Sequence, residues 1–312
     1  MSEDNQTKEV IMIGAGPTAL AAAIYTTRED IDTTLFEKAV IGGLAAITDW
    51  VDNYPGFVKG VAGLELAESL QGQAERFGTK IELGEVTSVR KDGNKIVLGT
   101  TNGEITAKAV LIATGSDYKK LGIPGEEEYF ARGVHYCATC DGAFYRDKRL
   151  VVVGGGNSAV QESIFLTKYA THIDLLVRGP KMRASEVLQQ ELQKHQDKIT
   201  VHYNTPINEI VATGGKVTHV KATKEGKSYE IKTDGVFVFI GLKPNTGFLK
   251  ESDVQLDEIG LIKTNMDLET DIAGVFAAGD VRSGATMQIA SAVGEGATAA
   301  LNIRKYLEEL DR

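Results

Sequence analysis

Twice along the chain a short apolar run meets a glycine turn and passes directly into a helical pattern. "EVIMIGAGPTALAAAIYTTRE" begins at Glu9 and "RLVVVGGGNSAVQESIFLTKY" at Arg149. Each is followed by a β-rich segment, "TTLFEKA" and "HIDLLVRG". The periodicity changes from strand to helix and back around each turn, so each stretch reads as a complete βαβ unit. The chain is therefore expected to be α/β, with two Rossmann-like three-layer dinucleotide-binding domains.

What lies between the repeats sets the boundaries. "KAVLIATGS" at 108–116 is a strand ending in a small-residue turn. After the second repeat come the strands "KVTHVKAT" and "KSYEIKTDGVFVFIG", a turn "LKPNT", the strand "GVFAAGDV" and a final helical stretch, "MQIASAVGEGATAALNIRKYLEEL". The expected arrangement is a second domain, 117–245, inserted into a first made of 1–116 and 246–312. A length of 312 residues suits two domains. A formal charge of -9 without a Lys/Arg block argues against nucleic acid or an anionic membrane as partner. No apolar run has the length of a membrane span, and "MSEDNQTKEV" is polar and acidic where a secretory signal would be basic, so a cytoplasmic location is expected.

In the first repeat Gly14, Gly16 and Ala19 form G-x-G-x-x-A between strand and helix. The first glycine allows the tight turn, the second lets backbone approach a pyrophosphate, and the helix N-terminus attracts the phosphates. Glu37, 23 residues after Gly14, can accept hydrogen bonds from a ribose diol. The second motif is Gly154, Gly156 and Ala159, but Val177 stands where Glu37 would be, followed by Arg178 and, five residues on, Arg183. Arginines without a carboxylate favour a 2'-phosphate and hence NADPH, although both could instead be solvated surface charges. Two such sites suggest a flavin and a nicotinamide. Asp280, delivered into a glycine turn by "GVFAAGDV", offers the first domain a second carboxylate that the longer ligand, FAD, would use.

Cys137 and Cys140 are the only two cysteines and stand in "HYCATCDG". Residues i and i+3 on the first turn of a helix lie within disulfide reach, and helix N-termini favour the thiolate. The pair reads as a reversible redox disulfide. It could also be half of a zinc site completed by His135 and a second copy, or two core cysteines. Asp141 follows directly and could exchange the proton that thiol chemistry requires, or simply cap the helix.

With these residues in place the chain closely resembles the low-molecular-weight thioredoxin reductases over essentially its whole length. "GAGPTALAAAIY", "VDNYPGF", "IATGS", "YCATCDG", "VVVGGGNSAV", "FVFIGLKPNT" and "GVFAAGDV" occur in that family's order. The resemblance implies a homodimeric flavoprotein passing electrons from NADPH through FAD and the Cys137/Cys140 disulfide to a thioredoxin. It implies that Cys140 faces the flavin, Cys137 attacks the substrate and Asp141 is the acid/base. It further implies FAD contacts from Gly14, Gly16, Thr18, Glu37, Thr48, Asn53, Thr114, Gly115, Gly279, Asp280, Gln288 and Ile289, and NADPH contacts from Gly154, Gly156, Asn157, Ser158, Arg178 and Arg183. Members of the family rotate the nicotinamide domain, and crossings near 116 and 245 suit hinges.

The sequence also departs from that pattern. "VRGPKMR" has Val177 and Gly179 where NADPH-using members carry His and Arg. One lost charged contact costs about 1.5–3 kcal/mol, or one to two decades of affinity. Leu44 replaces a Gln near the flavin, and Met287 an Arg. Some relatives take electrons from ferredoxin or another donor, and these departures point the same way. A flavin-binding redox sensor without steady-state turnover is the alternative of another class.

Overall fold

The computed structural model describes residues 7–48, 50–310 and 312. The chain divides into two compact units, one of Met1–Asp117 and Lys243–Arg312, the other Tyr118–Leu242. The expected boundaries put residue 117 and residues 243–245 with the second unit, whereas here they lie with the first. Asn245 explains part of the difference: its side-chain Nδ2 donates to the Thr114 carbonyl at 3.0 Å, and the Thr114 hydroxyl donates back to the Asn245 carbonyl at 2.9 Å.

In the first unit the strand Lys8–Ile13 pairs in parallel with Thr33–Glu37 on one side and with Gly103–Ile112 on the other. Lys80–Leu83 extends the sheet beyond Thr33–Glu37, and Val275–Ala277 pairs in parallel with the far edge of Gly103–Ile112. The first half of Gly103–Ile112 continues into an antiparallel meander with Lys95–Thr100 and Val86–Asp92. Side-chain alternation shows why this strand is central. Val10 and Met12 enter one apolar cluster, Ile11 and Ile13 another, and all four are at most 4 % exposed. A parallel sheet covered on both faces needs such an unbroken apolar run.

One cover is helical. The helix Pro17–Thr27 carries a nearly continuous buried stretch, and Ile289–Leu310 packs along it. Gly296 permits their close approach, since a Cβ there would collide with the Thr18 carbonyl. The segment "LKPNT", expected as a turn, contains a short strand, Leu242–Pro244, paired with Ser116–Tyr118. The two chain crossings thus run as a small ribbon.

The second unit repeats the plan. Five parallel strands lie in the order Ile199–His202, His172–Leu176, Arg149–Val153, Gly235–Val238 and Val134–His135. Leu150 and Val152 face one core, Val151 and Val153 the other. An antiparallel three-stranded sheet, Ile207–Thr213, Lys216–Lys224 and Lys227–Lys232, covers the second face. Among the described residues no helix is long and apolar enough to cross a membrane.

Candidate active site

In the first unit the turn after Lys8–Ile13 brings the chain back on itself. Gly14 has φ +102°, and a Cβ there would lie 2.6 Å from the Ala113 carbonyl oxygen, so backbone and sterics both demand glycine. Gly16 differs. It has ordinary φ, and a Cβ would meet nothing within 4 Å, leaving open space at the start of Pro17–Thr27. That helix has no side-chain cap, so its first N–H groups remain for an incoming acceptor.

Glu37 ends the second strand and is pinned by two backbone donors, Ala15 N–H to Oε2 and Ala39 N–H to Oε1, each at 2.8 Å. Each oxygen retains accepting capacity for a ribose hydroxyl. Gly14, Glu37, Lys38, Thr114 and Asn245 share the lining of a cavity of about 420 Å³ within this unit.

Asp280 supplies the strongest test of fit. Its backbone carbonyl accepts from the Ser116 hydroxyl at 2.5 Å, and among the described residues no hydrogen bond reaches its carboxylate. Burial, and to a lesser degree the Glu295 carboxylate, push this acid up to about 6. A largely desolvated acceptor facing no donor fits a hydroxyl-bearing ligand such as FAD. Asp280 therefore favours the folded state fully at low pH, and that contribution is lost as pH rises through about 6. Asp280→Asn is expected to stabilise the flavin-stripped protein by on the order of 2 kcal/mol at neutral pH, to do little near about pH 4, and to weaken FAD binding. Urea unfolding at both pH values, with FAD titration, checks all three outcomes.

The remaining residues expected at the FAD site fall into two groups. Asn53 and Gln288 meet, Nδ2 to Oε1 at 3.0 Å. Gln288 directly precedes Ile289, the first residue of the last helix, and Gly115 lies beside Thr114 with φ +66°. Thr18 and Thr48 also make contacts within the fold. Thr18 is only 6 % exposed and packs under Gly279, while the Thr48 hydroxyl donates to the Leu44 carbonyl at 2.8 Å. Sequence reasoning missed Asn245 and the half-buried pair Arg282–Glu295, whose Glu295 carboxylate also accepts the Gly279 N–H at 2.8 Å. Asn245 stands in the quoted "LKPNT", which was a signal; nothing in the sequence links Arg282 to Glu295.

In the second unit Gly154 adopts φ +150°, and a Cβ would collide with the Phe239 carbonyl. Gly156 is open, Asn157 and Ser158 are exposed on the uncapped helix start, and Asn157 Oδ1 accepts the Ser185 N–H at 2.9 Å. The Gly155 carbonyl accepts the N–H groups of Arg183 and Ala184, at 2.7 and 3.2 Å, which folds the loop after Arg178 back onto the glycine turn. Arg178 and Arg183 are both exposed, and neither guanidinium forms an ion pair among the described residues. This donor set suits a phosphate.

The same unit holds the cysteines. Cys137 caps the short helix Ala138–Asp141, and the two Cα atoms lie 5.3 Å apart in a disulfide. The Cys140 N–H donates to Cys137 Sγ at 3.1 Å, taking the place of a polar cap. Tyr136, before Cys137, is anchored by its hydroxyl donating to the buried Glu126 at 2.7 Å, and Glu126 also accepts the Leu121 and Gly122 N–H groups. Beyond the pair, Asp141 Oδ2 lies 3.0 Å from His135 Nδ1, and His135 Nε2 lies 2.7 Å from the Tyr145 hydroxyl. Among the described residues no group of three or more His, Cys, Asp or Glu side chains could hold a metal ion. His135 is engaged with Asp141 instead.

Two dinucleotide turns and a redox disulfide define a flavin- and nicotinamide-linked disulfide oxidoreductase, and the chain belongs to the pyridine nucleotide-disulphide oxidoreductase family, whose pattern matches residues 8–296. It is 41 % identical over 312 residues to the thioredoxin reductase of Bacillus subtilis, covering 99 % of this chain and 98 % of that one. The thioredoxin reductase of Listeria innocua is also 41 % identical, over 99 % of this chain and 97 % of its own. The crystal structure of thioredoxin reductase from Streptococcus pyogenes superposes with TM-score 0.93 at 37 % identity, covering 98 % of this chain and all of that one. The resemblance carried by the motifs is thereby borne out.

Proposed function

We propose that this chain is an FAD-dependent thioredoxin reductase, taking electrons from NADPH and delivering them through Cys137 and Cys140 to a thioredoxin-type protein disulfide. The observation that carries the reading is the Cys137–Cys140 disulfide at the head of a helix, with Asp141 on its next residue. The turn at Gly14 and Gly16, with Glu37 and Asp280, would hold FAD, which would supply the two-electron carrier between nicotinamide and disulfide. Reduction breaks the S–S bond and, with two electrons and two protons, leaves thiols at Cys137 and Cys140.

Cys137 is then the nucleophile. The Cys140 N–H that points at its sulfur stabilises negative charge there, and thiolate is the attacking form. Attack on the partner's disulfide forms a mixed disulfide and expels one partner thiolate, which takes up a proton. Cys140 next loses its proton, attacks Cys137 Sγ, restores the internal disulfide and releases the second partner thiol. Asp141 is placed to move those protons. A cytoplasmic, homodimeric protein fits the reading, with a second copy of the chain as its assembly partner.

NADPH is the donor we assign, held by Gly154, Gly156, Asn157 and Ser158 at the turn and by Arg178 and Arg183 at the 2'-phosphate. Anaerobic titration of the yellow protein with NADPH tests this: stoichiometric bleaching of the flavin band is expected. A flavin that dithionite bleaches and NADPH does not would overturn the donor and leave ferredoxin or a similar protein. Arg178→Ala is expected to raise KM for NADPH about tenfold to a hundredfold with little change for NADH. Equal effects on both would mean that Arg178 does not read the phosphate.

A further inference from the structure

His135 occupies an unusual position. It is 6 % exposed, stacks on Phe237 at 5.1 Å, and has both ring nitrogens engaged, Nδ1 with Asp141 and Nε2 with Tyr145. Tyr145 closes the arrangement edge-on against both rings, 5.2 Å from His135 and 5.5 Å from Phe237. Burial, then the charges of Asp141 and Asp234, hold the Tyr145 hydroxyl well above its ordinary range, so it stays protonated. The groups facing His135 are thus Asp141 and Tyr145, and Asp234 acts on Tyr145 in turn.

Resting on the thioredoxin reductase reading, we propose that His135 is a positioning residue that lets Asp141 gain and lose its proton while both ring nitrogens of the buried imidazole stay paired. Hydrogen-bond accounting supports this role. When Asp141 is ionised, Nδ1–H donates to the carboxylate and Nε2 accepts from the Tyr145 O–H. When Asp141 is protonated, its O–H donates to Nδ1, the imidazole takes the other tautomer, and Nε2–H donates to the Tyr145 oxygen. A neutral imidazole backed by a hydroxyl satisfies both states, because each of its nitrogens can donate or accept and the hydroxyl can do either. A buried unpaired donor or acceptor would otherwise penalise one state.

This matters because each catalytic cycle passes two protons from the enzyme thiols to the partner's two thiolates, and Asp141 must change state for each. The proton leaves a cysteine as its sulfur forms the new S–S bond, and arrives at the partner sulfur as the old S–S bond breaks. No other oxidant or reductant enters.

The test uses the FAD-loaded protein carrying His135→Phe, which keeps a ring against Phe237, and Tyr145→Phe, which removes only the hydroxyl. Asp141→Asn first identifies the limb of the kcat–pH profile that Asp141 controls. His135→Phe is expected to slow thioredoxin turnover about tenfold and to alter that limb, because the carboxylate has lost the ring nitrogen it pairs with. Tyr145→Phe should slow turnover by less. Flavin bleaching by NADPH, which needs no thiol exchange, should be unchanged in both. A second readout dispenses with the donor: dithiothreitol-reduced protein is mixed once with thioredoxin disulfide and its remaining thiols are counted by alkylation, with the same slowing expected. His135→Asn, which can donate or accept one hydrogen bond toward Asp141, should recover part of the rate. If both Phe variants match the unaltered protein in rate and pH profile, His135 has no such role. If the unaltered protein itself fails to reduce thioredoxin, the functional reading falls, whatever the variants do.

Discussion

Cys140→Ser should bind FAD normally, still bleach with NADPH, and reduce thioredoxin about a thousandfold more slowly or not at all. The reasoning is mechanistic rather than structural. Cys137 and Cys140 act as one unit, so losing either removes the whole electron exit and not half of it. The substitution is nearly isosteric, and the cap that Cys137 provides to this helix is made to the Cys140 backbone N–H, so folding should survive. Flavin content by absorbance and thiol production by a colorimetric reagent separate the two outcomes. Turnover comparable to the unaltered protein would remove the disulfide from the mechanism.

The second large effect contrasts two glycines of one turn. Gly14→Ala places a side chain at φ +102°, with its Cβ 2.6 Å from the Ala113 carbonyl oxygen. We expect it to destabilise the first unit by about 3 kcal/mol and to abolish FAD retention. Gly16→Val places a side chain in open space at ordinary φ. It should leave the flavin-stripped protein as stable as before, yet lower FAD affinity at least about a hundredfold by filling the room a pyrophosphate would take. Thermal unfolding of stripped protein, paired with FAD titration, distinguishes them. Equal stability losses would mean that both glycines serve the fold alone.

Why one part of this could be read from sequence and another could not follows from distance along the chain. The strand, turn and helix at Lys8–Thr27 and at Arg149–Leu166 are local, and their apolar runs and glycines lie within a few residues of each other. The cysteines are local too, and Cys137 and Cys140 form the expected disulfide at the head of a helix. The Thr114–Asn245 tie spans 131 residues and pairs two common polar side chains, so neither residue type announces it. Glu295 reaches back to Gly279 from a segment that reads, in sequence, only as a final helical stretch. His135 shows the limit most clearly. In the sequence it reads only as a possible zinc ligand; folding puts Asp141 and Tyr145 on its two nitrogens. The segment "LKPNT" reads as a turn because Pro and Asn favour one, but pairing with Ser116–Tyr118 makes its first half a strand.

The proposed mechanism sends electrons out catalytically through Cys137 and Cys140 to a thioredoxin disulfide. It is tested most directly by mixing a trace of FAD-loaded protein with excess NADPH and excess oxidised thioredoxin, and counting new thiols against NADPH consumed. The account predicts two thiols per NADPH, sustained over many turnovers of the enzyme. Thiols that appear once per enzyme and then stop, with the flavin reduced, would contradict it and identify a flavin-linked redox sensor instead.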